Sequence, residues 1–169
     1  MALTFYVEDV LQAIKTQMLD GTNGFNVKVA DINSKRASTD MALYGNVLTL
    51  KTLQTGGIYF LVTRPQDEYD PFVTITIDTG DYTKDFLGAI RLKVALRLTL
   101  QDHGDGWTDV YAIRYIDALV ATFEPGRYAY LDDFFPRISM LETVGYETIA
   151  DGRSWREVGI KIEMVFASR

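Results

Sequence analysis

GAIRLKVALRLTL, residues 88–100, decides the fold. Ile90, Leu92, Val94, Leu96, Leu98 and Leu100 recur at every second position, while Arg91, Lys93, Arg97 and Thr99 stand between them. Successive side chains of a strand point to opposite faces, so this stretch is one long strand with an apolar face and a basic face. A one-residue slip would bury three cations, which pins the register. FVTITID, residues 72–78, alternates in the same way through Val73, Ile75 and Ile77. The basic face, Arg91, Lys93 and Arg97, has two readings. It is a sheet surface open to water, as antiparallel sheets often leave, or a face that meets carboxylates of a neighbouring subunit.

Working outward, Phe5, Val7, Val10, Leu11, Ile14 and Met18 recur at intervals of three and four, which predicts an amphipathic helix over residues 4–19. Asp20-Gly21 and Asn23-Gly24 end it. Residues 25–30 alternate and read as a strand, and the polar run DINSKRASTDMALY, 31–44, reads as a loop. Two β-rich runs, 46–53 and 58–63, flank Gln54-Thr55-Gly56-Gly57, a hairpin signal. Past residue 107, Val110, Ile113, Ile116, Leu119, Val120 and Phe123 form the apolar stripe of a second helix, stopped near Pro125-Gly126. Residues 128–141, broken by Pro136, read as a short helix or turn leading into a strand. The chain closes with strands over 142–150 and 154–166, joined through Asp151-Gly152, with Val158, Ile160, Ile162, Met164 and Phe166 inward. No internal repeat is visible. The expected class is α+β, a twisted and mainly antiparallel sheet with helices packed on one side and the N-terminal helix first.

The 169 residues read as a single domain, 1–169, able to bury roughly two-thirds of its unfolded surface. With no cysteine, the chain has no disulfide, thiolate zinc site or cysteine nucleophile. The net charge of −6, from 17 basic and 23 acidic residues, disfavours tight binding to a phosphate backbone, which depends on Lys and Arg displacing counterions. The N-terminus carries Glu8 and Asp9 within its apolar pattern and is not expected to be a signal peptide. No apolar run approaches the length needed to span a bilayer.

One stretch invites a chemical reading. In TLQDHGDGWTDVYAIRYIDALVATF, residues 99–123, the only histidine, His103, lies among Asp102, Asp105 and Asp109. A metal-dependent enzyme or a small-molecule site built on these four is one hypothesis. Against it, an EF-hand loop would need a glutamate at its twelfth position, where Ile113 stands. A zinc site would need carboxylates to complete its ligands. The structural reading is a six-residue chain reversal with Asp105 as helix N-cap and Asp109 in the first turn, where the helix dipole favours negative charge. No phosphate-binding glycine loop, nucleophile elbow or zinc-protease motif is present. The segment RPQDEYDPFVTITIDTGDYTKD, 64–85, concentrates Asp67, Glu68, Asp70, Asp78, Asp81 and Asp85 against Arg64 and Lys84. It reads either as solvated loops around a strand or as a functional acidic surface.

The N-terminal helix, the pair FVTITID and GAIRLKVALRLTL, the helix containing IRYIDALVATF and the closing strand REVGIKIEMVF follow one another in a layout that resembles the tail terminator proteins of long-tailed bacteriophages. The resemblance spans nearly the whole chain; residues 31–45 and 128–140 depart from it and read as insertions. It implies an α+β subunit, not an enzyme and without a cofactor, that assembles as a homo-oligomeric ring of six subunits. Such a ring sits in the tail-neck region of a virion assembled in the bacterial cytoplasm, between the tail tube protein and a head-tail connector or head-completion protein. Within it Arg91, Lys93 and Arg97 would be subunit-interface residues, and Asp67, Glu68, Asp70, Asp78, Asp81 and Asp85 would line or rim a channel. DNA would pass through without being gripped, and no membrane would be involved. The alternative in the same class is another neck component, a head-completion or tail-tube subunit.

Overall fold

The computed structural model describes residues 6–44, 48–61, 69–84, 89–102, 106–124, 137–140, 145–148 and 154–167. The first helix, α1 (Val7–Met18), lies within the predicted span and buries Val10, Leu11, Ile14, Gln17 and Met18. Its first turn is closed by Asp9, whose Oδ2 accepts the Tyr6 backbone N–H at 2.8 Å. The Asp20 carboxylate then accepts the N–H groups of Thr22 and Asn23, at 3.1 and 2.6 Å, and turns the chain. Gly24 is required here, because a Cβ would lie 2.6 Å from the Asp20 nitrogen and 2.7 Å from the Met18 oxygen.

The next element corrects the expectation of a strand followed by a polar loop. Residues 25–44 form one helix, α2 (Phe25–Tyr44). Phe25 and Val29, one turn apart, enter the core, and Ile32 packs against it. The polar residues have partners that no local pattern announces. Asn26, Asn33 and Asp40 stand seven residues apart on one line of α2 and hold the extended segment 48–53 by its backbone. Asn26 accepts from Leu53 N–H and donates to Leu53 C=O, both at 2.8 Å. Asn33 does the same to Leu50, at 2.9 and 3.0 Å. Asp40 Oδ2 accepts from Leu48 N–H at 3.1 Å. These side chains replace the neighbouring strand that an extended segment otherwise needs to satisfy its amides.

Consequently the hairpin expected around Gln54-Thr55-Gly56-Gly57 does not form. Residues 55–57 make a short 3-10 turn, and the strand after it, β1 (Ile58–Phe60), pairs parallel with β2 (Phe72–Lys84). The sheet is otherwise antiparallel: β2 pairs β3 (Ala89–Asp102), and β3 pairs β6 (Ser154–Ala167) without interruption from Ala89 opposite Ala167 to Asp102 opposite Ser154. Two short strands, β4 (Arg137–Met140) and β5 (Gly145–Thr148), pair with β6, giving six strands among the described residues. The register of β3 is the one its alternation dictated. Leu92, Val94, Leu96 and Leu98 are fully buried with Ile160, Ile162 and Met164 of β6, each large side chain contributing about 2 kcal/mol of transfer free energy. In β2 the pairing slips between Ile77 and Tyr82, so residues 78–81 bulge against a single residue of β3.

The last helix, α3 (Thr108–Thr122), packs on α2 and β6. Its buried side differs from the expected stripe: Leu119 and Phe123 are buried, but so are Ala112, Tyr115 and Ala118, while Ile113 is 60% exposed. Two alanines let α3 approach its neighbours closely, and Tyr115 stacks on Phe25 with ring centroids 6.1 Å apart. The α+β class with the N-terminal helix first is therefore the observed one, with α1, α2, α3 and the apolar sheet face sharing a single core.

Candidate functional site

The start of α3 is held on both sides. Thr108 Oγ1 donates to Asp102 Oδ1 at 2.9 Å, and Asp109 forms an ion pair with the guanidinium of Arg156 on β6. Two of the four residues in the metal hypothesis thus have structural partners, while His103 and Asp105 lie outside the described residues. The N-cap position of α3 is Trp107, without a side-chain cap hydrogen bond. Asp105 therefore does not stand at the position expected of it, because the helix begins later than the Asp-Gly pair suggested. Asp109 does occupy the first turn. Among the described residues no cluster of three His, Asp or Glu could hold a metal ion.

The outer face of the sheet carries Arg91, Lys93 and Arg97 as expected, with Arg91 and Lys93 exposed. Here β6 changes the electrostatics. Lys93 stands opposite Glu163, and Arg97 Nη1 reaches Glu157 Oε1 at 3.3 Å. Part of the basic strand thus finds its carboxylates on the same chain, a pairing invisible until β6 is laid beside β3. Of the cations, Arg91 faces no carboxylate across the ladder, its partners being Thr83 on β2 and Val165 on β6. The expected interface trio is therefore not uniform: Arg97 is paired with Glu157, Lys93 is exposed but opposite Glu163, and Arg91 is exposed with no carboxylate across the ladder.

Of the six acidic residues of this segment, Asp70 alone has its side chain among the described ones. Asp67, Glu68 and Asp85 lie outside the described residues, and Asp78 and Asp81 fall in the bulge of β2. Asp70 binds within the subunit, where one carboxylate oxygen accepts from Gln101 N–H at 2.9 Å and the other from Lys51 Nζ at 2.8 Å.

Asp70 and Lys51 border a cleft of about 140 Å³ that Thr49, Gln101, Tyr111 and Tyr115 also line. The Tyr115 hydroxyl accepts from Lys51 N–H at 2.9 Å and donates to Lys51 C=O at 3.1 Å. Burial raises the pKa of this phenol above its ordinary value, so it stays protonated and able to donate at neutral pH. Beyond it, Arg114 is turned inward. Its Nη1 donates to Asp40 Oδ2 at 2.7 Å and to Leu48 C=O at 3.2 Å, and its Nη2 meets Asp40 Oδ1. The hydrogen bonds from Arg114 hold the Asp40 carboxyl below the usual carboxylate range, against a burial that pushes it up. These groups brace residues 48–53 between α2 and α3; none is arranged as an activated nucleophile or a converging acid and base. The only sequence signal for the brace is the heptad spacing Asn26, Asn33, Asp40. No protein-family model matches the chain, and no curated protein matches it.

Proposed function

We propose that this chain is the subunit of a ring that caps the head-proximal end of a phage tail tube, stops its polymerisation and joins it to the head. The observation that carries the reading is the division of the subunit into a helix-covered face and an outward sheet face bearing Arg91 and Lys93 beside Glu163. A ring subunit needs charged surfaces that other copies can complement. The helix-first α+β order agrees with the layout of tail terminators and disfavours a tail-tube subunit, for which more sheet and less N-terminal helix is expected. The net charge of −6 suits a passage along which DNA slides without being held. Among the described residues no helix is long and apolar enough to cross a membrane, in keeping with a protein of the virion neck.

A tube grows by adding identical rings through head-to-tail contacts that have no intrinsic end, so termination requires a different ring. Deleting the gene is expected to give tails of irregular and excessive length that fail to join normally filled heads. Purified protein added to such tails is expected to bind one end and restore joining. Tails of uniform length attached to heads after deletion would refute the reading, and DNA-leaking heads would assign the chain to head completion instead.

A further inference from the structure

We propose that copies of this chain pack front to back, the exposed ridge of α3 on one subunit lying against the Arg91 end of the outer sheet face on the next. This rests on the ring reading and names the surfaces that would make the ring. Asp109, Ile113 and Asp117 follow one another at four-residue spacing along α3 and are all exposed, Ile113 by 60%. Half-buried Val110, Ile116 and Val120 flank them. An isolated exposed isoleucine is ordinary, but this one adjoins the exposed carboxylate of Asp117; Asp109, at the start of the ridge, is paired with the Arg156 guanidinium of β6. The only cation of α3, Arg114, is buried against Asp40, so nothing on the helix balances Asp117.

On the other side of the subunit Arg91 supplies the opposite sign, while Lys93 stands opposite Glu163. Arg91 and Lys93 are exposed, and Arg91 stands between Thr83 and half-buried Val165 across the ladder. Apolar next to acidic on the helix side thus matches apolar next to basic on the sheet side. The helices lie on the apolar face of the sheet, so these two patches look in opposite directions. Two unlike patches on opposite sides of one chain make a heterologous contact, which closes into a ring when the rotation between neighbours allows it.

Charge reversals at exposed positions test this without touching the core. Asp117→Arg and Arg91→Glu are each expected to stay folded by circular dichroism and to weaken self-assembly about tenfold in native mass spectrometry or sedimentation, more at low than at high salt. Ile113→Ser is expected to weaken it at both. An equal mixture of the two charge variants should recover assembly with alternating subunits. In the mixture every contact is either wild type or a swapped pair, whereas each variant alone offers only like charges. Wild-type rings with variants that assemble equally well, or a mixture that recovers nothing, would overturn the interface and leave the ring reading standing. A wild-type chain that stays monomeric both alone and on tail ends would overturn the ring reading, and the interface with it.

Discussion

Replacing Asp40 tests the brace where it is most exposed to failure. Its side chain is fully buried, that of Arg114 is only 9% exposed, and three hydrogen bonds converge on the carboxylate, two from Arg114 and one from Leu48 N–H. Asp40→Ala strands the guanidinium with the Leu48 carbonyl as its remaining partner in this group. Breaking a buried pair from one side costs about 3–5 kcal/mol, to which the orphaned Leu48 N–H adds about 1 kcal/mol, so a loss of about 4–6 kcal/mol is expected. Asp40→Asn keeps an acceptor for Leu48 and should cost about 1 kcal/mol less. Asp40→Leu combined with Arg114→Met should recover most of the loss, because a buried pair replaced on both sides by apolar groups is close to neutral. Urea denaturation followed by far-ultraviolet circular dichroism measures all four proteins. A loss for Asp40→Ala of under about 1 kcal/mol, the level of an exposed pair, would refute the reasoning. The pH dependence provides a second measurement. Because Arg114 lowers the folded pKa of Asp40, the contribution is fully present above the unfolded aspartate value of about 3.9 and is lost as pH falls through the folded value. The stability gap between wild type and Asp40→Asn should therefore narrow below about pH 4 and be constant above it.

Asn33→Ala deletes both bonds to Leu50 and leaves its backbone groups to find water; a loss of about 2 kcal/mol in the same urea assay is expected. Tyr115→Phe keeps the stacking on Phe25 but removes both bonds to Lys51, and should cost about 1–2 kcal/mol with faster amide exchange in residues 48–53. His103→Ala with Asp105→Asn should change stability by less than about 0.5 kcal/mol, since Trp107 holds the N-cap position. Stoichiometric metal in the purified wild type that this double variant loses would favour the metal hypothesis over the structural turn.

Elements whose side chains obey a single period were legible from the sequence alone. α1 lay within one residue of its predicted C-terminal boundary, and β2, β3, α3 and β6 each arose where alternation or a three-to-four spacing was strong. The apolar face of β3 fixed the register before any partner was known, because a slip would have buried Arg91, Lys93 and Arg97. The tertiary structure decided the rest. α2 was misread because FNVKVA alternates like a strand and the following residues carry few apolar groups. What stabilises it is a set of side-chain bonds to backbone 8, 17 and 27 residues away, which no local periodicity encodes. The same bonds drew residues 48–53 away from the sheet and left β1 to pair parallel with β2. For the candidate surfaces the division is similar. The sequence placed three cations on one face of β3, but only the pairing with β6 engaged Arg97 with Glu157, set Glu163 opposite Lys93 and left Arg91 with no carboxylate across the ladder. The ridge of Asp109, Ile113 and Asp117 was hidden because Ile113 reads as core in the helical pattern. The side of α3 that faced inward was set by the small volumes of Ala112 and Ala118 and by the buried attraction of Arg114 to Asp40. Periodicity tells which residues share a side of a helix or strand; which side is buried depends on partners brought together from distant parts of the chain.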